Sequence, residues 1–399
     1  MHGVAADVRG LGDEPGDHQH PDADPASAMT RRGAHISQAS ARILFMQDHL
    51  RSAAGGESVF RGLSVYTGNA HPRFAKDICS YLDIPIGDVD VFKFANDEIF
   101  VQIKENAREH DVFVVQSLVG PSVSDAIMEL LIMLDAFKRA SAGRITAVMP
   151  YYAYGRSDKK DQPRVPITAR LLADLIGVAG ADRFLTMDMH QMQIQGFFSI
   201  PGDELSARNL LVEAFREIVE KDPDGVVLVV PDLGYANVAR RIAEALEIPL
   251  VFMQKTHRDN SGRSEVVAVI GDIERKRAIV IDDEILTGTT ILNTVRILKE
   301  RGVKEIYVAC THALLAGDAA ERLVASGIVK LVTTDAVPLR PSAAATGKIE
   351  VLTVAPLFAE AIRRIHEGES VGALFSADSV QLPLHMLDPE ERARGDRAS

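Results

Sequence analysis

The chain has 399 residues, 46% of them hydrophobic and 25% charged, enough for two or three domains with substantial cores. A net charge of −12 argues against a generally nucleic-acid-binding surface and requires any anionic ligand to be met by a local concentration of Lys and Arg. The two cysteines, Cys79 and Cys310, both lie in apolar segments, which predicts buried free thiols and a reducing, cytoplasmic setting rather than a disulfide framework. In chain order, residues 1–57 are rich in Gly, Ala, Asp, His and Pro without a lasting period. They read as a disordered extension and lack the basic flank and apolar run of a signal peptide. Short β-branched runs then predict strands at 63–68, 112–117, 145–150 and 184–189, followed by 226–231, 250–255, 278–284, 305–312, 331–336 and 350–355. Amphipathic stretches at 122–141, 166–180, 235–247, 289–301 and 316–326 predict helices; in the first, Ile127, Leu130, Leu131 and Leu134 share one face. No apolar run reaches the roughly 18 residues of a spanning helix.

Continuous apolar strands alternating with helices predict α/β architecture with mainly parallel sheets covered on both faces. Ten strands are many for one sheet, so two are expected, with a break near 200–206, within "IPGDELSA" (200–207), and Ser206 capping the next helix. The predicted organisation is an α/β domain over 60–205, a second over 206–350, a segment 351–376 returning to the first, and a flexible tail over 377–399.

The segment "IVIDDEILTGTTILNTV" (279–295) runs an apolar strand into two adjacent carboxylates, then a Thr/Gly turn, then a helix. Ligands of open α/β sheets bind beyond the carboxyl ends of strands. Backbone N–H groups and threonine hydroxyls at a helix start, here Thr287, Gly288, Thr289 and Thr290, make an anion site. Asp282 and Asp283 can accept hydrogen bonds from vicinal hydroxyls or hold Mg²⁺. A sugar phosphate offers both ends; a capped helix start with a solvated Asp pair is the plain structural alternative. Elsewhere, "YAYGRSDKKDQPR" (152–164) gathers positive charge suited to a triphosphate, "MDMHQMQIQGFF" (187–198) places Asp188 and His190 at a strand end, and "QKTHRDNSGR" (254–263) has the composition of a mobile basic lid.

The Asp-Asp loop resembles the phosphoribosyl-pyrophosphate loop of type I phosphoribosyltransferases. Together with "FKFANDEIFVQI" (92–103), the run from 139 to 198, "VVPDLGYANVARRIAEAL" (229–246) and "THALLAGDAAERL" (311–323), the chain resembles the ribose-phosphate pyrophosphokinase family over about residues 63–376. The resemblance implies two phosphoribosyltransferase-type (type I) domains and synthesis of phosphoribosyl pyrophosphate from ATP and ribose 5-phosphate. It places Arg156 and Asp158 on ATP, and Phe94, Asn96 and Glu98 at the adenine pocket of a neighbouring subunit, so that a homo-oligomer is expected. It makes Mg²⁺ the cofactor, with His190 and Asp232 as ligands and Asp188 and Asp203 at metal-associated positions. Lys255 matches the catalytic lysine, with Arg258 assisting, and Asp282, Asp283 and Thr287–Thr290 hold ribose 5-phosphate.

The chain departs from the family pattern at several places. Ser157 replaces a usual Gln, Ser199 an Asp, and His257 an Arg, with Arg258 one place on. In the loop itself Leu286 replaces an Asp and Thr289 a Gly. Leu286 cannot accept a hydrogen bond from ribose, and Thr289 adds a Cβ where the phosphate approaches the backbone. The departures at His257, Leu286 and Thr289 keep open a non-catalytic regulatory paralogue that binds an active synthetase; a phosphoribosyltransferase shares the Asp-Asp loop but lacks "YGRSDKKD" and "DMHQMQIQGFF" and ranks well below.

Overall fold

The computed structural model describes residues 60–257, 264–273 and 277–375. The predicted disordered extension (1–57), the tail (377–399) and Arg258 lie outside the described residues. The chain runs from β1 (Leu63–Thr67) through α1 (Pro72–Leu82), the strands β2 (Val89–Lys93) and β3 (Ile99–Ile103), then β4 (Asp111–Val115), α2 (Val123–Arg139), β5 (Arg144–Met149), α3 (Thr168–Ala179), β6 (Arg183–Met187) and β7 (Gly202–Leu205). The strands β1-β4-β5-β6-β7 form a parallel sheet in that order, and β2 and β3 form a separate antiparallel hairpin. Next come α4 (Arg208–Lys221), β8 (Val226–Val230), α5 (Ala236–Leu246), β9 (Leu250–His257), β10 (Ser264–Ile270), β11 (Arg277–Ile285), α6 (Thr289–Glu300) and β12 (Glu305–Ala313). The described chain closes with α7 (Ala319–Ala325), β13 (Lys330–Thr334), α8 (Pro341–Ala344), β14 (Ile349–Leu352) and α9 (Ala355–Glu367). The second sheet has the order β10-β9-β8-β11-β12-β13-β14 and is parallel except for the β9–β10 pair.

Every residue of β4 (DVFVV) and β8 (VVLVV) is buried, as central parallel strands covered on both faces require. On the first sheet, α2 and α3 cover one face, and α1 with α9 the other. On the second, α6 and α7 cover one face, and α4 with α5 the other. The ring of Phe358 on α9 meets that of Phe74 on α1 edge-on at 5.4 Å. Arg144 also donates to the carbonyl of Ile365 at 2.8 Å, so α9 is fixed to the first sheet although it follows the last strand of the second.

Four strands depart from the sequence expectation. β2 and β3 are only half covered, so their apolar residues form no continuous run. β7 (GDEL) is polar and short; the segment expected to be a break is an edge strand of the first sheet, and the chain crosses to the second directly after it. β10 is an antiparallel edge with a register shift between Val266 and Ala268. The helix after β7 takes Ala207 rather than Ser206 as its N-cap, although the Ser206 hydroxyl still accepts the Arg208 N–H at 3.3 Å.

The bonds joining the two sheets lie at the carboxyl ends of strands. His71 donates to the Asp335 carbonyl at 2.8 Å, Ser117 to the Ala336 carbonyl at 2.6 Å, and Thr311 to the Asp188 carboxylate at 2.7 Å. This is where α/β sheets bind ligands.

Candidate active site

The Asp-Asp segment is still strand. β12 continues beside β11 through the pairs Asp282–Cys310, Glu284–His312 and Ile285–Ala313, whereas β8 pairs only as far as Val280. Asp282 and Asp283 therefore stand on a rigid extension past the end of β8, rather than in a loop. Two backbone bonds clamp the strand's exit: Leu315 N–H to Ile285 O at 3.0 Å and Ala316 N–H to Leu286 O at 2.7 Å. Gly288 turns the chain at φ +71°, a left-handed conformation that glycine adopts without strain, and becomes the N-cap of α6. The helix begins at Thr289, so Thr287 and Gly288 precede it. Arg322 on α7 donates to the Thr287 carbonyl at 2.8 Å and fixes the turn from behind.

A helix start leaves its first N–H groups without partners inside the helix and carries positive potential. Here these groups border a hollow of ≈ 50 Å³ lined by Arg156, Asp282, Glu284 and residues 285–291. The hydroxyls of Thr287 and Thr289 lie 3.2 Å apart in this cradle. Leu286 lines the same hollow, with Ile285 and Ile291, and is 38% exposed.

Loops after β5 and β6 form the facing wall. Tyr152 is core, its hydroxyl donating to Ala169 O at 2.8 Å, so it presents no ring to a ligand. Gly155 lies close to His190; a Cβ there would come within 3.2 Å of the histidine's own Cβ. Arg156 crosses to the second sheet and ion-pairs with Glu284. The Tyr151 hydroxyl donates to the other oxygen of Glu284 at 2.9 Å. Asp158 is buried within 3.4 Å of the Gln193 amide. His190 Nδ1 lies 2.6 Å from an Asp283 oxygen. Arg156 and His190 are thus brought onto the acidic strand, although they follow different strands of the other sheet.

The adjacent carboxyls have opposite electrostatics. Burial, then the charge of Asp283, pushes Asp282 well above the usual carboxylate range, and Asp232 adds to this. Burial also works to raise Asp283, but its hydrogen bond with His190 and the charge of that ring more than reverse the effect. The same bond raises His190.

The other expected site residues are placed variously. The Asp232 carboxylate accepts the Gly234 N–H at 2.9 Å while remaining close enough to act on Asp282. The Asp188 carboxylate is committed to Thr311 Oγ1 and, at 2.9 Å, to the Ala207 N–H. Asp203 pairs with Arg183 at 2.6 Å, at the end of β6 opposite the site. Each of these carboxylates thus accepts from a structural donor. Among the described residues no three His, Cys, Asp or Glu side chains form a metal-holding cluster. Phe94, Asn96 and Glu98 sit in the β2–β3 turn, where Phe94 packs on Phe92 and Phe100 and Asn96 accepts the Glu98 N–H at 3.3 Å. Among the described residues no hydrogen bond or ring contact joins this turn to Arg156 or Asp158. The Lys255 backbone lies in β9 opposite Val266.

Sequence reasoning missed Glu284, Tyr151, Glu204 and Arg322. Glu204 accepts the Met189 N–H at 2.7 Å and the Gln195 amide, so it braces the loop that carries His190. Glu284 was visible only as the third acid of the "DDE" run; its partners lie more than 120 residues away.

Two mainly parallel sheets meeting at their carboxyl ends, with an anion cradle after an acidic strand, define a pair of phosphoribosyltransferase-type domains. Residues 63–180 match the model of the N-terminal domain of ribose phosphate pyrophosphokinase, and residues 236–376 match that of the phosphoribosyl synthetase-associated domain. The ribose-phosphate pyrophosphokinase of Clostridium perfringens is 47% identical over 319 residues, covering 80% of this chain and 99% of the relative. That of Deinococcus radiodurans is 46% identical over 316 residues, covering 79% and 98%. The crystal structure of phosphoribosylpyrophosphate synthetase from Mycobacterium smegmatis superposes with a TM-score of 0.72 at 40% identity, covering 77% of this chain and all of that one. The chain belongs to the ribose-phosphate pyrophosphokinase family.

Proposed function

We infer that the chain is a ribose-phosphate diphosphokinase, transferring the pyrophosphoryl group of ATP to the anomeric hydroxyl of ribose 5-phosphate to give phosphoribosyl pyrophosphate and AMP. The observation that carries this reading is the convergence of the helix-start cradle at 287–290 with the Arg156 and His190 loops on one acidic strand. Asp282 and Asp283 orient the sugar hydroxyls and residues 287–290 hold the 5-phosphate. Arg156 and Asp158 contact ATP. Lys255, with Arg258, stabilises charge on the transferred group, so the protein's work is alignment and charge stabilisation in an in-line displacement. The proposed organisation is an ATP-contributing domain over 60–205 and a ribose-phosphate-binding domain over 206–350, with 351–376 packing back on the first and the substrates meeting between them.

His190 and Asp232 are the residues proposed to hold Mg²⁺; Nδ1 of His190 is taken by Asp283, which leaves Nε2 for a ligand. Bound Mg²⁺ would supply neutralisation of the triphosphate charge. Asp188 and Asp203 are proposed at metal-associated positions, their carboxylates also accepting from Thr311 and Arg183. The exposed Phe94 turn is proposed to reach the ATP of a neighbouring subunit, in a cytoplasmic homo-oligomer.

The test is AMP formation by the purified chain alone with ATP, Mg²⁺ and a panel of pentose 5-phosphates, with Lys255→Ala run beside it. The expected result is ribose 5-phosphate-dependent AMP release in step with phosphoribosyl pyrophosphate, with the lysine variant losing turnover far more than ATP affinity. Leu286 in the cradle favours the second reading, a regulatory paralogue, and that reading would stand if no pentose phosphate elicited AMP.

A further inference from the structure

Glu284 is a buried carboxylate in the wall of the cradle, and none of the roles above uses it. It is held from three sides. Its backbone is fixed in β11 opposite His312, the Tyr151 hydroxyl donates to one carboxylate oxygen at 2.9 Å, and Arg156 pairs with the other. Tyr151 is itself wedged edge-on against the His312 ring at 5.0 Å. The carboxylate therefore has little freedom, whereas the Arg156 side chain is 51% exposed and hangs from a turn. If one partner of this pair moves, it is the arginine.

We propose that Glu284 is a tether that parks Arg156 over the sugar-phosphate cradle and competes with the nucleotide triphosphate for its guanidinium. The inference rests on the reading of Arg156 as an ATP contact. A guanidinium fork suits a carboxylate and a phosphate equally well, so the two anions are alternative partners for one group. ATP must break the ion pair and leave a buried carboxylate with Tyr151 as its remaining side-chain donor among the described residues, which lowers ATP's apparent affinity. Because Arg156 also lines the hollow, its departure opens the mouth of the cradle, so the nucleotide half of the site acts on the sugar half through one side chain. Glu284 is thus a positioning residue, acting through Arg156.

The experiment is calorimetric titration of the full chain with Mg²⁺ and α,β-methylene-ATP, in the unaltered protein, Glu284→Gln, Arg156→Gln and the double variant. Glu284→Gln keeps an acceptor for Tyr151 and removes the charge; it should tighten nucleotide binding by about three- to ten-fold. The gain should vanish in the Arg156→Gln background, a dependence that a merely structural role would not produce. Should Glu284→Gln fail to fold, Tyr151→Phe removes one hold on the carboxylate and should shift the affinity in the same sense by a smaller factor. An unchanged affinity in whichever of these variants folds, or an equal gain without Arg156, overturns the tether while leaving the diphosphokinase reading intact. Absence of nucleotide binding by the unaltered chain overturns both.

Discussion

Asp282 and Asp283 differ by one position in the chain, but alternation along a strand sends their side chains to different surroundings. Asp283 meets His190 and stays ionised; Asp282 carries the accumulated repulsion of its neighbours. Glu204 shows the same dependence on place. Burial, only partly offset by its hydrogen bonds to Gln195 and Met189, raises its pKa from 4.5 to about 7. The folded chain then holds this proton more tightly than the unfolded one. The stability so contributed is complete below pH 4.5 and is lost as pH climbs through about 7. Glu204→Gln retains an acceptor for the Met189 N–H and cannot titrate. Urea unfolding at pH 5 and pH 8 should show the unaltered chain losing on the order of 3 kcal/mol more than the variant over that interval. Parallel pH profiles would show that Glu204 does not hold its proton.

At the scale of elements, α9 carries the most consequence for its length. It follows the strands of the second sheet yet buries Phe358, Ile362 and Ile365 with Phe74 and Ile78 of α1. Asp111, at the start of β4, adds a polar tie by accepting from Arg144 and lying 3.0 Å from His366 Nδ1. Phe358→Ala removes a fully buried ring and should cost about 3–5 kcal/mol, read as a lower denaturation midpoint at unchanged urea slope. A changed slope would instead mean that α9 had detached before the rest of the chain unfolded.

For the molecule as a whole, the site exists only because two sheets meet. Thr311 reaches the Asp188 carboxylate, and His312 lies 3.1 Å from both the Met187 and Asp188 carbonyls, so the second sheet supplies donors to the end of β6. With α9 tied to the first sheet as well, heating should unfold residues 60–375 in one calorimetric transition. Thr311→Val should move that single transition down by about 1–3 kcal/mol of stability, the cost of depriving a half-buried carboxylate of a donor. Two resolved transitions, with only one responding to the variant, would show that each sheet unfolds independently.

The sequence by itself determined the two parallel sheets, the acidic strand, the helix-start cradle and the family, because these rest on local patterns: continuous apolar runs, a Thr-Gly turn, short motifs. The hairpin β2–β3 and the edge strand β7 escaped, since half-covered and edge strands lack such runs. Only the tertiary structure decided which acid meets which base. Asp188 and Asp203 accept from Thr311 and Arg183, while Asp283 and Glu284 take His190 and Arg156. The reason is physical: a carboxylate's role is set by the donors that packing brings within about 3 Å, and those donors come from strands far apart in the chain.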